Sequence, residues 1–245
     1  MSPHPQSNKG KTSGKTKAKT SWGQMIGTLL LLLAIIGGAS YGAFLVAAPF
    51  GWLAHSETRL ATFLLGAIVG ELAAVGVLTW WLRRRGGSLR AQGLGRATNW
   101  RGMAPGPLVA LRYSGLTAAL NPAVGPNLLR LIPLQRLAVV AAVVAGLIEE
   151  TVFRGYLMTS LDEMCQRRVT QALVSWVAFA VAHFYGFVSP AALLATSGAT
   201  FVLGTALAIT YLVGKRSLTP VIVSHTLVDL MIEPWLLLRF FPGAA

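Results

Sequence analysis

Long apolar runs constrain this chain more than any other feature. A helix needs about 20 apolar residues to cross roughly 30 Å of hydrocarbon, and several stretches approach or reach that length. They are residues 25–47, 60–82, 105–120, 137–157, 170–187, 190–213 and 218–240, the third short and the last interrupted by Pro234. Gly-rich loops and the turn Asn121-Pro122-Ala123-Val124-Gly125-Pro126-Asn127 separate them. The predicted fold is therefore all-α, a polytopic transmembrane helical bundle of about seven spans. Spans consume the 245 residues, so one transmembrane domain is expected over 25–245. The run from Met25 to Ala47 is longer than the apolar region of a cleaved signal peptide and reads as a retained first span. Only 12% of residues are charged, against about 25% in an ordinary soluble domain, which agrees with a lipid solvent.

The net charge of +13 invites a nucleic-acid reading, but the placement of the charges argues for orientation in a bilayer. Lys9, Lys11, Lys15, Lys17 and Lys19 lie in a polar tail, residues 1–24, predicted to be a disordered cytoplasmic segment. Arg83, Arg84, Arg85, Arg90, Arg96 and Arg101 crowd one loop. Adding Arg167, Arg168, Lys215 and Arg216, alternation of spans puts fifteen basic residues on the tail's side and four, Arg59, Arg130, Arg136 and Arg239, on the other. That asymmetry predicts a cytoplasmic N-terminus and a bacterial-type inner membrane, with membrane lipids rather than nucleic acid as the partner. Cys165 is the only cysteine, which rules out an intramolecular disulfide and a Cys-rich metal site.

Charged groups inside a bilayer are costly and usually functional. Glu71 and Arg112 stand alone in their spans and read as structural, each able to close an interhelical ion pair, with the other as one candidate partner. In the fourth span, Glu150 and Arg154 are four apart with the acid first, the favourable order for a helical ion pair. Glu149 is turned about 100° away, so the same arginine does not serve both. One glutamate is paired and the other is left as a candidate general base. A buried charge cluster that only locks helices together fits this segment equally well. In the fifth span His183 follows Phe179 by four residues, and a lone histidine there is more often a core residue than a catalyst. In the seventh, His225 and Asp229 share a helical face, so the carboxylate either orients the imidazole or joins it in ligating a metal.

Taken together, these segments resemble the CAAX-processing and bacteriocin-processing (Abi) family of intramembrane proteases. Its Glu-Glu-x-x-x-Arg motif is matched by Glu149, Glu150 and Arg154, its Phe-x-x-x-His motif by Phe179 and His183, and its His-x-x-x-Asn/Asp motif by His225 and Asp229. Besides these two histidines the chain has only His4 and His55. The resemblance covers about residues 137–231. It implies an endopeptidase, called a metalloprotease in many members, acting on CAAX-like, prenylated or other membrane-associated peptides. Glu149 with His183 would activate water, His225 with Asp229 would stabilise the oxyanion or bind metal, and Glu150 and Arg154 would hold the first motif. A divalent cation such as zinc stays open as cofactor, with His183, His225, Glu149 and Asp229 as candidate ligands.

Two other classes compete. A non-proteolytic immunity or scaffold protein would keep the same residues as a polar brace. A proton-coupled transporter would use them as a relay, but the chain is short and shows no paired broken helices. A His-Glu-x-x-His zinc pair and a Gly-x-Gly-Asp motif are both missing, and Gly37-Gly38-Ala39-Ser40-Tyr41 is only faintly like a serine-protease turn.

Overall fold

A computed structural model describes residues 20–97, 104–120, 132–183 and 190–240, and every regular element among them is helical. Helices α1 (Trp22–Ala47) and α2 (Ser56–Arg84) form a hairpin joined by two short 3-10 turns. Helix α3 spans Pro105–Leu120, and α4 spans Pro133–Glu150. The chain then widens into a π-helical segment, Thr151–Leu157, and continues as α5 (Met158–Glu163). Helices α6 (Arg168–Ala182), α7 (Pro190–Val213) and α8 (Thr219–Phe240) complete the bundle.

The all-helical class matches the reading of the sequence, but among the described residues only α1 and α2 are by themselves long and apolar enough to cross a bilayer. Trp22–Phe50 and Ser56–Arg84 each contain 29 residues, and their most apolar 18-residue windows have mean hydropathies of 2.3 and 2.0. Their outer faces carry Leu30, Leu31, Tyr41, Leu45, Leu65, Val69 and Leu72, all exposed. Such a continuous apolar surface would drive aggregation in water and is what lipid requires.

Small residues set how closely these helices approach. A Cβ added at Gly66 would stand 2.7 Å from the Ser40 Cα, and one at Gly70 would stand 2.8 Å from the Ile36 Cα. Gly66-x-x-x-Gly70 is thus a small-residue seam on which α1 lies, the usual solution where lipid supplies no hydrophobic drive between helices. Helices α2 and α4 run parallel. Leu60 and Leu64 pack with Ala138 and Ala141, and further along Ala74, Leu78 and Leu82 pack with Ile148, Val152 and Tyr156. Interpolating between these contacts puts Glu71 within about a turn of the level of Glu149.

The arginine-rich loop after α2 is docked rather than loose. The Gly93 carbonyl accepts from the Leu218 amide at 3.1 Å, Tyr211 Oη donates to the Gln92 carbonyl at 3.1 Å, and Ser217 Oγ donates to the Arg96 carbonyl at 2.7 Å. Gly93 has φ +108°, and a Cβ there would lie 2.2 Å from the Arg216 carbonyl oxygen, so only glycine fits. Arg83, Arg84, Arg85, Arg90 and Arg96 are thereby gathered with Lys215 and Arg216 at one end of the bundle.

Several expected boundaries shift. The polar tail gives way to structure before residue 24: Ser21 caps α1 in a capping box with Gln24, and buried Thr20 donates to Glu163 Oε2 at 2.9 Å. The fourth span lengthens to 133–163 because the π segment carries the helix through. The fifth helix ends at Ala182, with His183 as its cap, and residues 184–187 of the expected span lie outside the described residues. Helix α8 continues past Pro234. Residues 1–19, 98–103 and the predicted turn 121–127 also lie outside the described residues.

Candidate active site

The end of α4 presents its two glutamates in opposite circumstances. Glu150 is completely buried, and its Oε1 accepts from Arg154 Nη1 at 2.7 Å and from His225 Nδ1 at 2.8 Å. Arg154, also completely buried, donates from Nη2 to the Gly204 carbonyl at 3.1 Å and lays its guanidinium over the Phe179 ring at 4.7 Å. All seven residues of the π segment are buried around it. Such widened turns occur often at functional sites, where they re-aim side chains without breaking the helix.

Glu149, turned away from that pair, keeps 16% side-chain exposure, and its Oε2 has no hydrogen-bond partner. It lies 3.6 Å from His183 Nε2 and 3.9 Å from His225 Nε2, beyond a direct hydrogen bond but close enough for one water to bridge. His183 ends α6, and its Nδ1 lies 2.8 Å from the Phe179 carbonyl. A carbonyl only accepts, so Nδ1 carries the hydrogen and Nε2 turns to Glu149. The Phe179 ring stands between the two imidazoles, 4.4 Å from that of His183 and 5.5 Å from that of His225.

Bringing α8 to this point depends on another glycine. A Cβ at Gly146 would stand 2.3 Å from Thr226 Oγ1 and 3.0 Å from the Thr226 amide, so any side chain would push His225 away from α4. The expected His225–Asp229 contact is present, and a second carboxylate joins it. The carboxylate on the Nδ1 of His225 is Glu150, and Asp229 Oδ2 instead faces Nε2 at 3.3 Å. The ring is therefore held between two carboxylates, Glu150 on Nδ1, itself held by Arg154, and Asp229 on the Nε2 side that faces Glu149.

The structure also adds a residue and separates an expected pair. Glu71 is only 6% exposed, lies within Coulombic reach of Glu149, Asp229 and His225, and has an Oε2 with no partner, whereas Arg112 is exposed. These two do not form the pair expected of them. The missed signal was the spacing Glu71, Ala74, Leu78, which puts the carboxylate on the face that packs against α4. A buried carboxylate oxygen without a partner costs about 1–3 kcal/mol or more. Glu71→Gln is accordingly expected to raise the melting temperature in a thermal-shift measurement; a lower melting temperature would refute the cost assigned to the unpartnered oxygen.

Both histidines engage Nδ1 with an oxygen and direct Nε2 inward, an arrangement common among metal-ligating histidines. Among the described residues, however, no three His, Cys, Asp or Glu side chains are arranged to hold a metal ion. As arranged, the described donor set does not fit a cation.

Residues 133–231 match the family model described as type II CAAX prenyl endopeptidase Rce1-like. That stretch is similar to the Rce1-like domain. No curated protein and no solved structure matches the chain. The matched stretch begins with α4 and ends inside α8, so it contains all seven motif residues from Glu149 to Asp229. Glu71 lies outside it. The family is one of membrane-embedded CAAX-type proteases, which agrees with the lipid-facing α1 and α2.

Proposed function

We propose that this chain is an intramembrane endopeptidase that hydrolyses peptide bonds of CAAX-like or other membrane-associated peptides with a water activated by Glu149 and His183. The observation that carries the reading is the contrast between two neighbouring glutamates. One is sealed against an arginine and a histidine; the other is partly exposed, and its unpartnered Oε2 faces two imidazole Nε2 atoms. A brace would pair both.

In the proposed reaction a water bound at Glu149 Oε2 attacks the scissile carbonyl carbon and gives its proton to Glu149. The carbonyl π electrons move onto oxygen, and a protonated His225 Nε2 donates a hydrogen bond to that oxyanion. Collapse re-forms the carbonyl, breaks the C–N bond and passes the Glu149 proton to the departing amine. Asp229 supplies the charge opposite the imidazolium, and Glu150 keeps the ring aimed. Asparagine at 229 would lose that charge but gain an amide donor for the oxyanion. Asp229→Asn should therefore retain activity within about tenfold and be indifferent to a strong chelator. Complete loss of cleavage, together with loss of bound metal in elemental analysis relative to the parent protein, would make the site a metal centre instead.

The same reading takes the chain as multi-pass, with seven spans, one transmembrane domain over 25–245 and an N-terminus on the cytoplasmic side of an inner membrane. Its support is the charge asymmetry and the parallel run of α2 and α4, two crossings apart. Reporter fusions after Arg101 and near Pro126 should report opposite sides, cytoplasm first. Agreement between the two would refute the assignment.

A further inference from the structure

At the basic end of the bundle, away from Glu149, lies a cavity of about 470 Å³ between the last turn of α2, the docked loop and α5. Its size falls in the range of small-molecule sites. Two guanidinium groups line it, Arg85 and Arg96, against a single carboxylate, Glu163, which already accepts from Thr20. Trp81 forms an apolar wall, and the Arg85 guanidinium stacks on its ring at 4.6 Å. Gln92, also lining the cavity, is 7% exposed, and its Oε1 has no hydrogen-bond partner.

These features specify a ligand. The guanidinium pair selects an anion with several acceptor oxygens, phosphate above all. The orphaned Gln92 oxygen and the Glu163 carboxylate accept hydrogen bonds, so the ligand also carries donors near its charge. The height of the cavity is set by Trp80 and Trp81, each under an arginine, the residue types that mark a membrane–water interface. We infer that this cavity binds the headgroup of an anionic, hydroxyl-bearing phospholipid, with Arg85 and Arg96 on its phosphate and Gln92 and Glu163 accepting from its hydroxyls. The loop arginines then have two tasks, because Arg84 and Arg90 contribute to orientation without lining the cavity.

The test is a titration of the full-length protein in detergent with dihexanoyl phosphatidylglycerol, dihexanoyl phosphatidylcholine and inorganic phosphate, read by thermal shift and needing no protease assay. Phosphatidylglycerol should bind at least about tenfold more tightly than either other probe. The double variant R85Q/R96Q should weaken it by about tenfold or more, while R84Q/R90Q, with the same change of charge, stays within about twofold. A91F fills the cavity without altering charge and should also abolish the preference, which covers the case in which R85Q/R96Q fails to fold. Equal losses in the two double variants would reduce the effect to general attraction by a basic surface and overturn the site. Inorganic phosphate binding as tightly as the lipid would overturn the lipid, and phosphatidylcholine binding as tightly would overturn the requirement for net charge and hydroxyls.

Discussion

Glu149→Gln should give a folded protein whose cleavage rate is lower by about two to four orders of magnitude, the usual worth of a general base. The substitution conserves volume and removes only the proton acceptor. Its structural cost is small because the Glu149 contacts with His183 and His225, at 3.6 and 3.9 Å, are not hydrogen bonds whose loss strands a partner. The melting temperature should stay within a few degrees, and removal of one carboxylate from a site that also holds Glu71 and Asp229 would favour a slight rise. A peptide library of prenylated and unprenylated tails supplies the substrates, with the parent protein as reference. Cleavage by the Gln variant at the parent's rate would remove Glu149 from catalysis. Absence of cleavage by both would favour a scaffold or immunity role built on the same polar residues.

What could be read in the sequence and what could not divides along a physical line. Within one helix, periodicity is set by 3.6 residues per turn, so the Glu150–Arg154 pair and the separate face of Glu149 followed from spacing alone. Between helices, register depends on which small residues allow close approach, and spacing does not report it. Gly146 lets Thr226 come near enough for His225 to reach Glu150, and no count along either helix predicts that contact. The four-residue step from His225 to Asp229 likewise establishes proximity but not which ring nitrogen the carboxylate meets. Glu71 looks alone in the sequence because the charges near it lie on other helices. The arginine loop was read only as charge, since its docking rests on Gly93 meeting the Arg216 carbonyl, a contact between segments more than a hundred residues apart.

Arg154→Ala should be the most destabilising single change in the site. The guanidinium makes three interactions at once: Nη1 to Glu150 Oε1 at 2.7 Å, Nη2 to the Gly204 carbonyl at 3.1 Å, and its face to the Phe179 ring at 4.7 Å. Its removal leaves a void inside a fully buried π turn and a sealed carboxylate whose remaining support is His225. Breaking a buried ion pair from one side costs about 3–5 kcal/mol, which for a chain of this length lowers the melting temperature by roughly 6–20 °C. Most of that cost is the stranded charge rather than the lost attraction. The double variant Glu150→Gln/Arg154→Ala should therefore recover part of the stability while still failing to cleave, because His225 Nδ1 then no longer has the anion that aims the ring. Arg154→Lys keeps the charge but loses the planar fork and the stacking surface, so it should fall between parent and alanine variant. Melting curves of the four proteins in one detergent decide the matter: a stable Arg154→Ala, or a double variant no more stable than Arg154→Ala alone, would mean that Glu150 finds its counter-charge elsewhere.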